Sequence, residues 1–347
     1  MNRHSLRSIS KSLIYKRQLK YLTATLTLGS LLWTVLGTPL WAAETDPVDP
    51  APSATGSDPR ILPDLEQERV QALANSHLPD TQTLWLETPR ESFLGLFKPA
   101  NVPVAKGAVL LLHHDRTSAD WPGSISTLRR GLPDQGWHTL SIALPDAPEY
   151  IPPRTQDVIL ATFDNPGSTA APSTPDTATP DTADLVKDRL EAHFEQISAR
   201  IEAGLDYLGQ QQPDRVLILG EGTGGYWALR YSIEQGEAST LFPILIDTLP
   251  PAGPSQPDLV ELVSTLQRPT LDLYHGNGIG RHPVEVLAQQ RRDASRRQGN
   301  GLLISSRIAP RAGDWHQLDR RLLGVVRGML PRLYALGGKP EAPSPAQ

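Results

Sequence analysis

Residues 215–230, Arg-Val-Leu-Ile-Leu-Gly-Glu-Gly-Thr-Gly-Gly-Tyr-Trp-Ala-Leu-Arg, are the stretch whose residue types and spacing best suit chemistry. Val216 to Leu219 form a continuous apolar run, the pattern of a strand buried on both faces. Gly220 to Gly225 then supply four glycines in six residues, and a helix-like stretch follows at once. Strand, sharp glycine turn and helix is the setting in which Gly-x-Ser-x-Gly presents a serine nucleophile. Gly220 and Gly224 fit that frame, but the nucleophile position is Gly222, which has no side chain to attack with. Thr223 is the nearest hydroxyl, one residue on.

Three other patterns call for a chemical reading. Gly220, Gly222 and Gly225 satisfy Gly-x-Gly-x-x-Gly, with Asp247 some 22 residues beyond Gly225 as a mimic of the ribose-binding acid. The match is weak, because it falls late in the sheet and an exported protein has little access to a nicotinamide cofactor; no cofactor is expected. His113-His114-Asp115 resembles a set of metal ligands, but a metal site needs convergent geometry and a second shell. Local hydrogen bonding is the expected role of these three, and no metal is expected. Arg291-Arg292 with Arg296-Arg297 makes a basic stretch on an expected helix, read as a solvated face rather than an anion site.

The elements that must position these residues follow from the apolar pattern. Ile61 to His77 are expected to be helical, and Leu84 to Leu86 and Ser92 to Lys98 to be antiparallel strands that open the sheet. Ala108 to Leu112 is an uninterrupted apolar strand, expected to be central and parallel, that ends in His113-His114-Asp115. Leu128 to Gln135 reads as a helix and Trp137 to Leu144 as the next strand, which implies a right-handed parallel crossover. Leu185 to Gln210 is the longest expected helix, with Leu190, Phe194, Ile197, Ile201, Leu205 and Leu208 along one face. After the glycine turn come a helix over Tyr226 to Gln235 and strands over Leu241 to Ile246, Thr270 to Tyr274 and Gly301 to Ile308. A closing helix spans Leu318 to Leu330, stopped by Pro331. This alternation predicts a doubly wound, mostly parallel α/β sheet with antiparallel strands at its start.

The ends carry no chemistry. Arg3, Arg7, Lys11, Lys16, Arg17 and Lys20 precede the apolar stretch Tyr21 to Gly37, and Pro39-Leu40-Trp41-Ala42-Ala43 offers a small-residue cleavage site after Ala42. Residues 1–42 are therefore expected to be a signal peptide and the mature protein to be exported to a periplasm. The alternative is an uncleaved anchor, since the apolar stretch lies near the lower spanning limit of about 17 residues. No second stretch approaches spanning length. Residues 43–60 read as a disordered leader, 163–184 as a Pro/Thr/Asp-rich mobile loop or, less simply, a lid, and 337–347 as a disordered tail. One domain is expected over 61–336.

Composition excludes several classes. The 347 residues carry a net charge of −5 and 20% charged side chains, so no basic field argues for nucleic acid. Cysteine is absent, which excludes disulfides, thiolate zinc sites and a cysteine nucleophile. The 33 prolines imply that part of the chain is linker rather than core.

The glycine turn, the His-ended strand before it and the late Trp315-His316 resemble the α/β-hydrolase superfamily over roughly residues 80–335. In particular they resemble an exported proteobacterial family of unknown function with a hydrolase-like core and a degenerate nucleophile elbow. The resemblance implies a fold of α/β-hydrolase type and places each residue. Gly222 would hold the positive φ of the elbow without strain, while Thr223 would supply a backbone N–H where the family builds its oxyanion hole. Many active relatives carry His-Gly-x-x-Asp after the seventh strand; here His275-Gly276-Asn277-Gly278-Ile279 leaves Ile279 at the acid position. Asp247, ending the preceding strand, is the better substitute, and Asp272 lies within its own strand. Gly313-Asp314-Trp315-His316 places His316 where the family keeps its base. The family's His-Gly pair is His113-His114-Asp115 here, and the bulk of His114 leaves less room for a substrate oxygen.

His316, Asp247 and Thr223 are thus the catalytic candidates, and His113, His114, Gly222 and Thr223 the ligand-binding ones. The expected role is non-catalytic binding or scaffolding in the cell envelope, with the elbow's N–H groups free to hold an anionic or carbonyl group. The alternative is an ester or amide hydrolase with a relocated nucleophile or a water activated by His316. A third possibility is a structural partner in an envelope complex, marked by a large apolar patch. The expected partner is a small molecule or an envelope protein, with no nucleic acid and no membrane span after signal removal.

Overall fold

The computed structural model describes residues 64–76, 78–149, 180–236, 240–253, 257–276, 282–299, 301–309 and 318–336, with side chains omitted at 180–186, 318–319 and 336. The expected signal peptide, leader and tail, residues 163–179 of the expected loop, Ile279 and His316 lie outside the described residues. The described residues belong to one compact unit, Leu62–Gln347.

Eight strands form one sheet in the order β1-β2-β4-β3-β5-β6-β7-β8. They are β1 Gln82–Glu87, β2 Ser92–Lys98, β3 Gly107–Leu112, β4 Trp137–Ile142, β5 Val216–Glu221, β6 Phe242–Ile246, β7 Thr270–His275 and β8 Leu303–Ile308. β2 pairs antiparallel with β1 and with β4, and every later pairing is parallel. The antiparallel opening and the central parallel β3 agree with the sequence pattern.

All of β3 is buried because both faces of the sheet are covered. Alternation sends Leu110 and Leu112 to the face packed by Phe194, Ile197 and Ile201 of the long helix α3, Pro180–Gly209. Val109 and Leu111 go to the other face, against Ile125 and Leu128 of α2, Ser124–Gly131, and Leu322 and Val326 of α7, Leu318–Leu336. A continuous apolar run is what such a doubly covered strand requires. A shorter helix, α1, Leu65–Ala74, lays Val70 and Leu73 on Leu94, Leu96 and Ala143.

Several boundaries differ from expectation for identifiable reasons. The helix expected over 128–135 begins earlier as α2 and gives way to a 3-10 turn at Pro133–Gln135, closed by Gly136 at φ 89. Pro133 has no N–H to continue an α-helix. α3 begins at Pro180, inside the segment expected to be loop, and proline's fixed φ suits a first helical position. The helix α4, Thr223–Glu234, starts directly after the glycine turn.

A six-residue helix, α5, Leu259–Ser264, was not expected. Its signal was present in Asp258-x-x-Glu261, since the Asp258 carboxylate accepts the Glu261 N–H at 2.7 Å. α6 spans Pro283–Gln298. Its Arg291 corrects the solvated-face reading: the side chain is fully buried and paired with Asp272, which is equally buried. Pro331 does not stop α7, which runs through it to Leu336. The final turn buries Leu333 and stacks Tyr334 on Trp137, and that packing outweighs the lost helix bond.

Candidate functional site

The glycine turn joins β5 to α4. Gly222 has φ 58 and ψ −123, a left-handed conformation that glycine adopts without a Cβ penalty. Its N–H donates to the Ile246 carbonyl at 2.9 Å, and its own carbonyl accepts the Leu249 N–H at 3.1 Å. The turn is therefore stitched to the end of β6. Gly224 is needed for a different reason: a Cβ there would lie 2.5 Å from the Leu112 and His113 carbonyl oxygens at the end of β3. The turn keeps the positive φ of an elbow, with a glycine at the nucleophile position.

The space of the missing side chain is occupied. A Cβ on Gly222 would meet the His114 ring, with Cγ at 2.9 Å and Cβ at 3.2 Å and Nδ1 nearer still. That Nδ1 accepts the Thr223 N–H at 3.1 Å and also lies 3.2 Å from the Thr223 hydroxyl. An accepting Nδ1 leaves the ring proton on Nε2. Burial holds the His114 imidazole below its ordinary value, opposed by the charge of Asp115. The Asp115 N–H in turn donates to Thr223 Oγ1 at 2.8 Å. The backbone donors expected to be free for a substrate oxygen thus have partners within the chain.

The other predicted positions separate. His113 is buried and does not line the cavity above the turn. Its Nδ1 meets the His114 carbonyl at 2.7 Å while Nε2 accepts the Leu144 N–H at 2.9 Å. Burial pushes it down to about 4. The Asp115 carboxylate accepts the Ala147 N–H at 2.8 Å. Among the described residues, no group of three or more His, Asp or Glu side chains is arranged to hold a metal ion. Thr223 is buried, and its hydroxyl is engaged by Asp115 and His114.

Asp247, at the end of β6, lies at the site and has φ 47, a strained value for a residue with a side chain. Its carboxylate accepts the His275 N–H at 2.7 Å and meets His275 Nδ1 at 2.6 Å. Asp272, by contrast, is held by Arg291 at 2.8 and 3.2 Å and by Ser305 at 3.3 Å, so its role is to neutralise a buried guanidinium.

Above Gly222 lies a cavity of about 240 Å³. His114, Thr117, Glu221, Asp247, His275 and His282 supply its polar side chains, and Trp121, Pro122, Leu249 and Val284 its apolar ones. Glu221 ends β5. Burial, with a smaller contribution from Asp247, raises its carboxyl above the ordinary range despite hydrogen bonds from Ser124 and the Ile125 backbone. His282 caps α6, its Nδ1 accepting the Val284 N–H at 3.4 Å. Sequence reasoning did not single out Glu221, His275, His282 or Trp121. Glu221 and His275 were legible as the last residues of parallel strands, because ligands in open α/β sheets bind beyond the strands' carboxyl ends.

The strand order, the antiparallel start and the strand–turn–helix elbow make this an α/β-hydrolase fold. Solved structures with a similar arrangement include a dienelactone hydrolase from Anabaena variabilis, 17% identical, covering 74% of this chain and 99% of that one with a TM-score of 0.42. A putative dienelactone hydrolase from Klebsiella pneumoniae is 16% identical over 74% of this chain and 98% of that one, with a TM-score of 0.46. An esterase from Pyrococcus furiosus is 11% identical over 79% and 96%, with a TM-score of 0.46. No curated protein matches the chain significantly. A family model described as a protein of unknown function, DUF3530, matches residues 24–332.

Proposed function

We propose that this chain, which belongs to the DUF3530 family of proteins of unknown function, is an exported, non-catalytic binding protein of the cell envelope. The observation that carries this reading is the His114 ring lodged where a side chain on residue 222 would stand. A hydrolase needs a nucleophile at the elbow and free N–H donors toward the developing oxyanion. Here the first is absent, and the Thr223 N–H is spent on His114. What persists is a cavity with polar and aromatic lining at the carboxyl ends of the strands, where this architecture binds ligands.

Export is inferred from the basic and apolar N-terminus. No helix among the described residues is long and apolar enough to cross a membrane.

A second reading has one observation in its favour. The Asp247–His275 pair at the cavity has the form of an oriented base, and such a pair could activate water for ester or amide hydrolysis. His316, the base position of the resembled family, is the other candidate for that role.

The deciding experiment is hydrolysis of short-chain nitrophenyl esters and anilides by the purified full chain, with His316→Ala and His275→Ala variants beside it. The expected result is no turnover above buffer by any of the three. Turnover by the unmodified protein that disappears in either variant would overturn the binding reading and assign the base.

A further inference from the structure

We propose that β1 is a dimerisation edge, pairing antiparallel with β1 of a second copy of this chain about a two-fold axis through Trp85. Two 8-stranded sheets then become one. This surface is separate from the cavity above Gly222, whose lining includes no residue of β1.

β1 ends the sheet and pairs only with β2 among the described residues. Its register against β2 is unbroken from Gln82 to Glu87, and it contains no proline, lysine or arginine. Natural edge strands commonly carry a bulge, a proline or such a charge to deter pairing with another chain. In the middle of this edge Trp85 is 48% exposed. Among the described residues it is the one exposed large apolar side chain that lies in a strand.

Alternation decides which backbone groups face outward. The Thr88 N–H donates to the Glu91 carbonyl where the hairpin turns. Hydrogen bonding toward β2 therefore falls on Thr88, Leu86 and Leu84, and the N–H and C=O groups of Thr83, Trp85 and Glu87 point away from the sheet. Outward groups at every second residue are the template for a further strand.

A second copy completes that template with its own residues. With the axis through Trp85, the two Trp85 residues lie opposite each other and Thr83 lies opposite the second copy's Glu87. All three outward positions are then in hydrogen-bonded pairs. On the other face Leu84 meets the second copy's Leu86, extending the apolar cluster against which both leucines already pack. At the ends of the pairing, exposed Asp80 is brought toward the second copy's exposed Arg90, so the charges are complementary. Moving the axis to Leu84 would instead set Trp85 against Thr83 and Gln82 against Leu86. The surface is thus self-complementary in one register, as an isologous contact requires.

The test is sedimentation velocity of the full chain over a range of concentrations, with disulfide trapping beside it. The full chain is expected to sediment as a dimer that dissociates on dilution. Trp85→Lys, at an exposed position outside the core, should raise the dimer dissociation constant at least about tenfold, as loss of a central tryptophan does. The chain has no cysteine, so introduced thiols report position without background. Thr83→Cys and Glu87→Cys would place thiols on residues about 5.5 Å apart across the interface, within disulfide range, and each more than about 13 Å from its own counterpart. Mild oxidation of the two variants mixed should give a cross-linked dimer, and oxidation of either alone should not. A monomer at every concentration would overturn the proposal. So would a dimer unaffected by Trp85→Lys, no cross-link in the mixture, or cross-linking by one variant alone. None of these outcomes bears on the reading of the Gly222 cavity, which hydrolytic turnover tests separately.

Discussion

The Thr223 N–H donates to His114 Nδ1 at 3.1 Å, joining the end of β3 to the first residue of α4 across the top of the sheet. The bond closes the elbow on itself. It consumes a donor that an acyl-transfer enzyme would aim at substrate, and it fixes the imidazole over Gly222.

Residue 222 and His114 should therefore compete for one volume. Gly222→Ser is expected to lower stability by about 1–3 kcal/mol, the range for a side chain held in a sparsely populated backbone region. His114→Ala should cost about 1–3 kcal/mol by leaving the buried Thr223 N–H without its acceptor. The double variant should cost less than the sum, with a coupling of about 0.5–3 kcal/mol, because removing the ring opens the space. Urea midpoints of the four proteins measure this, and strict additivity would show that the two positions do not compete.

Arg291 and Asp272 are fully buried, and the guanidinium donates two hydrogen bonds to the Asp272 carboxylate and one to the Thr248 carbonyl. Removing one partner strands the other charge, so Arg291→Met and Asp272→Asn should each cost about 3–5 kcal/mol. Arg291→Met with Asp272→Leu should recover much of that loss. Denaturation midpoints of singles and double test the pairing, and a double variant as weak as the summed singles would contradict it.

The last turn of α7 is held by packing rather than by propensity. Leu333→Ala should lower stability by about 2–5 kcal/mol, since the residue is fully buried. Pro331→Ala should raise it, by at most about 3 kcal/mol, by restoring a helix donor. Thermal melts of both variants distinguish this from a frayed end, where neither change would register.

Acid should weaken the fold through two buried histidines. Burial pushes His113 and His193 each down to about 4. The unfolded chain takes up these protons near 6.5, whereas the folded chain resists them until about 4. The unfolded state thus binds more protons between those values, and stability falls as pH drops from about 6.5 to 4. Urea midpoints across that window should show the slope. His193→Phe, which keeps a ring against Trp227, should reduce it; an unchanged slope would remove His193 from the account.

Much of this protein was determined by sequence alone. The continuous apolar runs of β3, β5 and β6 required strands covered on both faces, and the glycines at 220–225 required a sharp turn before a helix. Gly222 by itself removes the usual nucleophile. Tertiary structure decided what surrounds that absence. His114 and Thr223 are 109 residues apart, Asp247 and His275 are 28 apart, and Asp272 finds Arg291 across a strand and a helix. Local pattern specifies that a strand is buried, but the register between strands specifies which strand-end residues meet. Gly220 is set beside Leu112 and Ile246 beside Leu273. That alignment brings His114 over Gly222 and His275 to Asp247, so the plug and the cavity exist only once the sheet has closed its pairings.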